Sequence, residues 1–248
     1  MATFFISDVH LGLGEKEKEK EKEDLLLGFL ETILSSTDNL FIVGDLFDFW
    51  FEYATVIPKG YHRTLSALQK FTEQGVRVHY LVGNHDFWMG DYFATELGME
   101  LHFEPFEIGL DGKRIYLHHG DGLAQNDLGY KLVKPVLRSK TSVWLFRWLH
   151  PDLGVKLARG FSHTSRDYSS NRMFDEEKGM ERCAEDKIRQ GMDIVIMGHR
   201  HKPNLQKIGN GLYINLGDWI TFNSYGELTK GVMTLKTWNS KVKISDGT

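Results

Sequence analysis

Cysteine is almost missing from this chain. Its 248 residues include only Cys183. An internal disulfide is therefore impossible, no thiolate cluster is available for zinc, and a reducing compartment is expected. Long apolar runs are also missing. No stretch approaches the ~20 residues that would cross a bilayer. The opening MATFFISDVH has no basic region and does not read as a signal peptide. Positive charge is not in excess: the formal net charge is -4, which excludes a general nucleic-acid binder. Neither a Ser-His-Asp arrangement nor an activated cysteine is visible, and there is no internal repeat or obvious linker. No protein partner is evident.

What remains is ordinary globular material, 41% apolar and 26% charged. The length allows one large domain with a full core. Short apolar strands are expected at 3–7, 39–43, 76–82, 113–118 and 193–197. Two or three more are expected between about 204 and 245. Helices are expected after residue 24, where Leu26, Phe29, Leu30, Ile33 and Leu34 form a stripe, and over 62–74 and 174–191. The run EKEKEKEKE at 15–23 reads as a solvated loop or frayed helix start. Late strands with little helix between them suggest antiparallel additions, so the expected class is α/β (α+β), a β-sandwich flanked by helices.

The segment 123–173 reads differently. It is helical in pattern, lacks strands, and from 131 to 172 holds nine Lys or Arg against two acids, a local +7. Val143, Trp144, Phe146, Trp148, Leu149, Leu153, Val155, Leu157 and Phe161 run through it. We read it as a helical cap inserted into a core of 1–122 and 174–248. Its aromatic stripe suits either an acyl-chain groove or a small local core. Its basic excess suits an anionic membrane surface.

Five times a strand gives way at once to polar residues: Asp8-Val9-His10, Gly44-Asp45-Leu46-Phe47-Asp48, Gly83-Asn84-His85-Asp86, His119-Gly120-Asp121 and Gly198-His199-Arg200-His201. Sites gather at the carboxyl ends of strands in layered α/β folds, so these clusters are expected to converge. The set holds carboxylate, amide and imidazole donors without thiolate, which suits divalent Mn, Fe or Zn. Asp8 and His10, two apart on an extended chain, would leave one face together. So would His199 and His201, each pair chelating one ion. Asp45 has two oxygens and can serve two ions. Asp86 or Asp48 could orient a neighbouring imidazole, and His118 reads as structural.

The order of these motifs resembles the calcineurin-like metallophosphoesterase family. That resemblance implies a four-layer α/β/β/α sandwich and two divalent ions, with Mn favoured and Zn or Fe possible. Asp8, His10, Asp45 and His201 would hold one ion. Asp45, Asn84, His119 and His199 would hold the other, with Asp45 bridging.

Within that family, Gly44 through Trp50, Gly83 through Phe87, His119 through Gly122, Asp127 through Tyr130, Ser165 through Arg172 and Asn215 through Trp219 are similar to the branch that hydrolyses UDP-2,3-diacylglucosamine in lipid A biosynthesis. This implies a cytoplasmic enzyme, peripheral on the inner membrane. A metal-bridging hydroxide would attack the α-phosphorus of a nucleotide-sugar lipid, giving UMP and 2,3-diacylglucosamine 1-phosphate. Asp45 and His85 would be catalytic. Asn84, His85, Asp127, Ser165, Ser169, Arg172 and His199 would contact substrate. One departure is His85, where the better-known form of that branch has Arg. Other phosphodiesterases, nucleotide pyrophosphatases and nucleases of the family are the alternatives, with a non-catalytic scaffold more remote.

Overall fold

A computed structural model describes residues 1–124, 135–157 and 173–239. The alternation of side chains along each strand explains the layers. In β1 (Ala2–Ile6), Phe4 and Ile6 face one core while Phe5 faces another. In β2 (Thr37–Val43), Leu40 and Ile42 take the first side, and Phe41 and Val43 the second. β3 (Arg77–Leu81) repeats this with Val78 and Tyr80 against Leu81. Strands with two apolar faces must be covered twice.

The first face is covered by α1 (Lys16–Ile33) and α2 (His62–Glu73), which bury Leu26, Phe29, Leu30 and Ile33, and Leu65, Leu68 and Phe71. The second face meets a second sheet through Ile115, Leu117, Ile194, Ile196, Ile214 and Leu216. That sheet's far side carries Tyr116, Val195, Met197 and Tyr213 against Met180 and Ala184 of the last helix. The result is the expected helix–sheet–sheet–helix sandwich.

The six-stranded sheet has the order β11-β10-β1-β2-β3-β4, with β4 at Glu100–His102, β10 at Ser224–Thr229 and β11 at Val232–Thr237. The five-stranded sheet has the order β5-β6-β7-β9-β8. Its strands are β5 (Phe106–Leu110), β6 (Lys113–His118), β7 (Ile194–Met197), β8 (Asn204–Ile208) and β9 (Gly211–Asn215). β1, β2, β3 and β4 run parallel, as do β6, β7 and β9. Their carboxyl ends therefore meet along one edge of the sandwich.

Short helix α3 (Tyr92–Thr95) and strands β4 and β5 were not expected from the sequence. They are brief, and β5 is half exposed, so neither carries a long apolar pattern. Of the late strands, β8, β10 and β11 are antiparallel additions, but β9 lies parallel to β7. The 15–23 run is neither loop nor frayed: residues from Lys16 onward form the first turns of α1.

Between 135 and 157, helix α4 (Lys140–Arg147) is capped by Ser139, whose hydroxyl accepts from the Ser142 amide. Residues 151–157 are also helical. Phe146 of α4 packs on Phe51 and Trp88, with ring centroids 4.7 and 4.6 Å away, and the Trp88 indole donates to the Leu137 carbonyl at 2.8 Å. Helix α5 (Met173–Arg189) returns the chain to the second sheet. No helix among the described residues is long and apolar enough to cross a membrane.

Candidate metal centre

β1, β2 and β7 each end on a sharp change of direction. Asp8, His10, Asp45, His199 and His201 all adopt left-handed backbone, with φ between 48 and 69°. Such conformations cost of order 1–3 kcal/mol each in non-glycine residues and persist only where the surroundings enforce them. Here the strand-end amides enforce them. The Asp8 amide donates to the Gly44 carbonyl at 3.2 Å, and the His10 amide to the Asp45 carbonyl at 3.0 Å. Gly44, at φ 83°, is obligatory: a Cβ there would lie 2.3 Å from His119 Nδ1. At Gly83 a Cβ would lie 2.1 Å from Asp45 Oδ1.

The side chains converge in two overlapping groups. Asp8, His10 and His201 form one, and Asp45, His119 and His199 the other. His10 Nε2 stands 3.7 Å from both Asp8 Oδ1 and Asp45 Oδ2, and His201 Nε2 stands 3.6 Å from Asp8 Oδ1. In the other group His119 Nε2 is 3.2 Å from Asp45 Oδ2 and 3.0 Å from Asn84 Oδ1. Asp45 Oδ2 thus faces both groups. The spacing argument put His199 and His201 on one ion; the structure divides them between the groups. Asp8 and His10 do meet, but by left-handed turns rather than along an extended strand.

Outer partners fix the rings. His119 Nδ1 meets the Val43 carbonyl at 2.9 Å, and His201 Nδ1 meets Asp218 Oδ2 at 3.3 Å, so each Nε2 is turned inward. Asp218 is itself held by the Thr221 and Phe222 amides. Asp48 lies 3.6 Å from His10 Nδ1 and 3.5 Å from His85 Nδ1. Asp86, the other carboxylate expected beside an imidazole, does something else. It accepts from the Leu46 amide at 3.1 Å, the Gly83 amide at 2.7 Å and the Tyr80 hydroxyl at 2.5 Å. It therefore ties the loop after Asp45 to the loop before Asn84. Burial and the nearby Asp45 charge lift its carboxyl to about 7.

His85 contacts the Asp48 carbonyl through Nδ1 at 3.0 Å and packs edge-on against His10, while burial pulls its pKa down. His118 accepts from the Gly120 amide, a local structural contact. Asp127, Ser165, Ser169 and Arg172 lie outside the described residues.

The electrostatics of these groups fit a cation. Burial pushes the two central carboxyls up, but imidazolium neighbours hold Asp8 low and Asp45 well below the usual carboxylate range. Burial disfavours charge on His10 and His119 too, yet the facing carboxylates raise them to about 9 and about 10. In the absence of metal, protons occupy the places of cations. Asp8 Oδ1 and both ring nitrogens of His10 are buried with no hydrogen-bond partner among the described residues. Burying such atoms unsatisfied costs about 1–3 kcal/mol each, which a shared cation between them removes.

Three residues that sequence reasoning missed help to shape this site. Glu19 and Lys22 come from the charge run. The Glu19 carboxylate accepts from the Gly12 and Gly14 amides at 2.6 and 2.8 Å and from Lys22 Nζ at 2.9 Å. Lys22 Nζ, buried, also donates to the His10 carbonyl at 2.6 Å. The alternating charges hid this, since no pattern marks which pair faces inward. Arg138, counted only as part of a basic excess, donates to the Gly83 carbonyl at 3.2 Å and lies 3.7 Å from Asp121.

The calcineurin-like phosphoesterase family model matches residues 1–203. The UDP-2,3-diacylglucosamine hydrolase of Porphyromonas gingivalis is 32% identical over 240 residues, covering 90% of this chain and 92% of that protein. The protein of the same name from Histophilus somni (strain 2336) is 32% identical over 225 residues, covering 88% and 92%. Among solved structures, a novel archaeal phosphodiesterase overlays with a TM-score of 0.49 at 12% identity, covering 96% of this chain and 99% of that one.

Proposed function

The chain belongs to the calcineurin-like phosphoesterase family, and from that premise we propose that it hydrolyses the pyrophosphate of UDP-2,3-diacylglucosamine, releasing UMP and 2,3-diacylglucosamine 1-phosphate. The observation that carries the chemistry is Asp45 Oδ2 standing between two ligand groups, 3.7 Å from His10 and 3.2 Å from His119. The substrate assignment is supported by relatives of that name, matched over about nine-tenths of both chains.

Asp8, His10, Asp45 and His201 would hold one divalent ion, and Asp45, Asn84, His119 and His199 a second. Mn is our choice for a site rich in oxygen and imidazole without thiolate. Two such ions supply a nucleophile at neutral pH and neutralise charge on the phosphoryl oxygens. The chain does the rest. Asp45 aligns both groups through one oxygen, while its other oxygen is occupied by the His85 amide at 2.9 Å. Asn84 adds a neutral oxygen, limiting negative charge around the anionic substrate. His85, packed edge-on against His10, would contact the phosphoryl group; delivering a proton to the leaving phosphate would require its imidazolium form, which burial disfavours.

Residues 123–173 act as a cap on this site, and Asp127, Ser165, Ser169 and Arg172 contact the nucleotide-sugar. The described part of that segment has one anchored aromatic, Phe146, and two exposed ones. Trp144 is 57% exposed and Trp148 76%, with Lys140 and Arg147 on the same helix. These exposed rings and basic residues support our reading that the chain works at an anionic membrane surface.

The test is UMP release from UDP-2,3-diacylglucosamine with Mn, beside deacylated UDP-sugar and bis-p-nitrophenyl phosphate. A strong preference for the acylated substrate is expected. Equal turnover of the simple diester would leave the metal centre intact and overturn the lipid assignment.

A further inference from the structure

We propose that His79, Glu100 and His102 form a separate binding site for a zinc-class divalent cation, at the edge of the sandwich. β3 and β4 are parallel neighbours, with His79 opposite Glu100 and Leu81 opposite His102. Glu100 and His102, two apart on a strand, leave the same face. The parallel pairing sets His79 beside both. His79 Nδ1 stands 3.2 Å from His102 Nε2 and 3.3 Å from Glu100 Oε2, and one donor atom from each residue lies within 4.8 Å of the others.

Those separations are what a tetrahedral cation requires. Ligands about 2.0–2.2 Å from zinc lie roughly 3.3 Å from one another. The groups around Asp45 have comparable ligand spacings, from 3.0 to 3.7 Å. Yet the two sites are distinct. They share no residue, and His79 lies within β3 while Asn84 lies beyond its end at Leu81.

The rings are already set. His79 stacks on Phe41 at 4.4 Å and 7°, and His102 on Phe106 at 3.7 Å and 13°. His79 is 3% exposed, and its Nε2 has no hydrogen-bond partner among the described residues, so the ring turns Nδ1 toward this cluster. Glu100 is mostly exposed, which leaves an approach from solvent and a fourth position open to water. Burial lowers His79 to about 4 and pulls His102 down as well, so both imidazoles are neutral at physiological pH, the form that ligates. Two imidazoles and one carboxylate favour zinc over the harder ions suited to an oxygen-rich site. Among the described residues β4 is an edge strand with β3 as its one strand partner. A bound cation would pin that edge where the chain crosses from the first sheet to the second.

The experiment counts ions. The full-length protein is saturated with Co(II), freed of excess, and assayed for cobalt and for visible absorption. His102→Phe keeps a ring on Phe106, and Glu100→Gln changes only an exposed group. Wild type should hold one equivalent more than His102→Phe, with a tetrahedral cobalt band that weakens in Glu100→Gln and is lost in His102→Phe. Phosphodiester hydrolysis should be the same in all three. Equal cobalt content and identical spectra in wild type and both variants would overturn the site and leave a histidine pair sharing one proton.

Discussion

Asp45 illustrates how much one side chain does here. It sits in left-handed backbone, one oxygen faces both ligand groups, and the other accepts the His85 amide. Asp45→Ala should therefore abolish turnover and release both ions. The loss should exceed the roughly 10–100-fold typical of removing an outer partner such as Asp218. Steady-state hydrolysis and bound-metal analysis would read this, and activity within tenfold of wild type would contradict the bridging role. A second consequence concerns protons. In the metal-free protein His10 and His119 titrate at about 9 and about 10, above the ordinary histidine value of about 6.5. Their contribution to stability is complete below that ordinary value and is lost as pH rises through the folded values. Metal-free protein should thus melt at progressively lower temperature from pH 7 to pH 10. The metal-loaded protein, whose imidazoles are held neutral by the ions, should lack that decline. Thermal denaturation with and without chelator across this range decides it.

At the scale of elements, the first turns of α1 act as a bracket on the loop carrying His10. Glu19 gathers the Gly12 and Gly14 amides, and Lys22 reaches the His10 carbonyl. Lys22→Met keeps the apolar stem and removes the donor. It leaves a buried carbonyl unsatisfied and should cost about 1–3 kcal/mol in denaturant unfolding. Metal affinity should also fall, because the His10 turn loses its support. A variant with unchanged stability and metal affinity would remove Lys22 from any role in supporting the His10 turn. Helix α4 is held differently, by Phe146 between Phe51 and Trp88 and by the indole bond from Trp88. Of the aromatic stripe, the structure describes Trp144, Phe146 and Trp148. One ring anchors it to the loops after β2 and β3, and Trp144 and Trp148 remain outside.

For the whole molecule, the site exists because two sheets present their carboxyl ends to one edge. β1, β2 and β3 deliver Asp8, Asp45 and Asn84 from one sheet. β6 and β7 deliver His119, His199 and His201 from the other. Our proposal assigns the exposed tryptophans and adjoining basic residues to contact with a lipid surface. Trp144→Ala with Trp148→Ala should weaken sedimentation with anionic vesicles severalfold and leave hydrolysis of a simple diester unchanged. Vesicle binding equal to that of wild type would remove these residues from any membrane role.

The chain's own order of motifs determined the ligand types, the strand ends that bear them and the layered class, because apolar strands of period two and abrupt polar endings are local signals. It also located the helical stripe of α1 and the basic, aromatic character of 123–173. Tertiary structure alone decided the rest. His199 and His201 went to different groups because each occupies left-handed backbone, which no spacing rule reveals. Asp86 became a tie between loops, and Asp218 a partner for His201, because their contacts lie 40 and 17 residues away in sequence. The inward-facing Glu19 and Lys22 could not be told from their repeated neighbours, since only packing against the Gly12–Gly14 loop distinguishes them. Short β4 and β5 escaped notice for the same reason: their place comes from the strands beside them, and it is there that His79 meets Glu100 and His102.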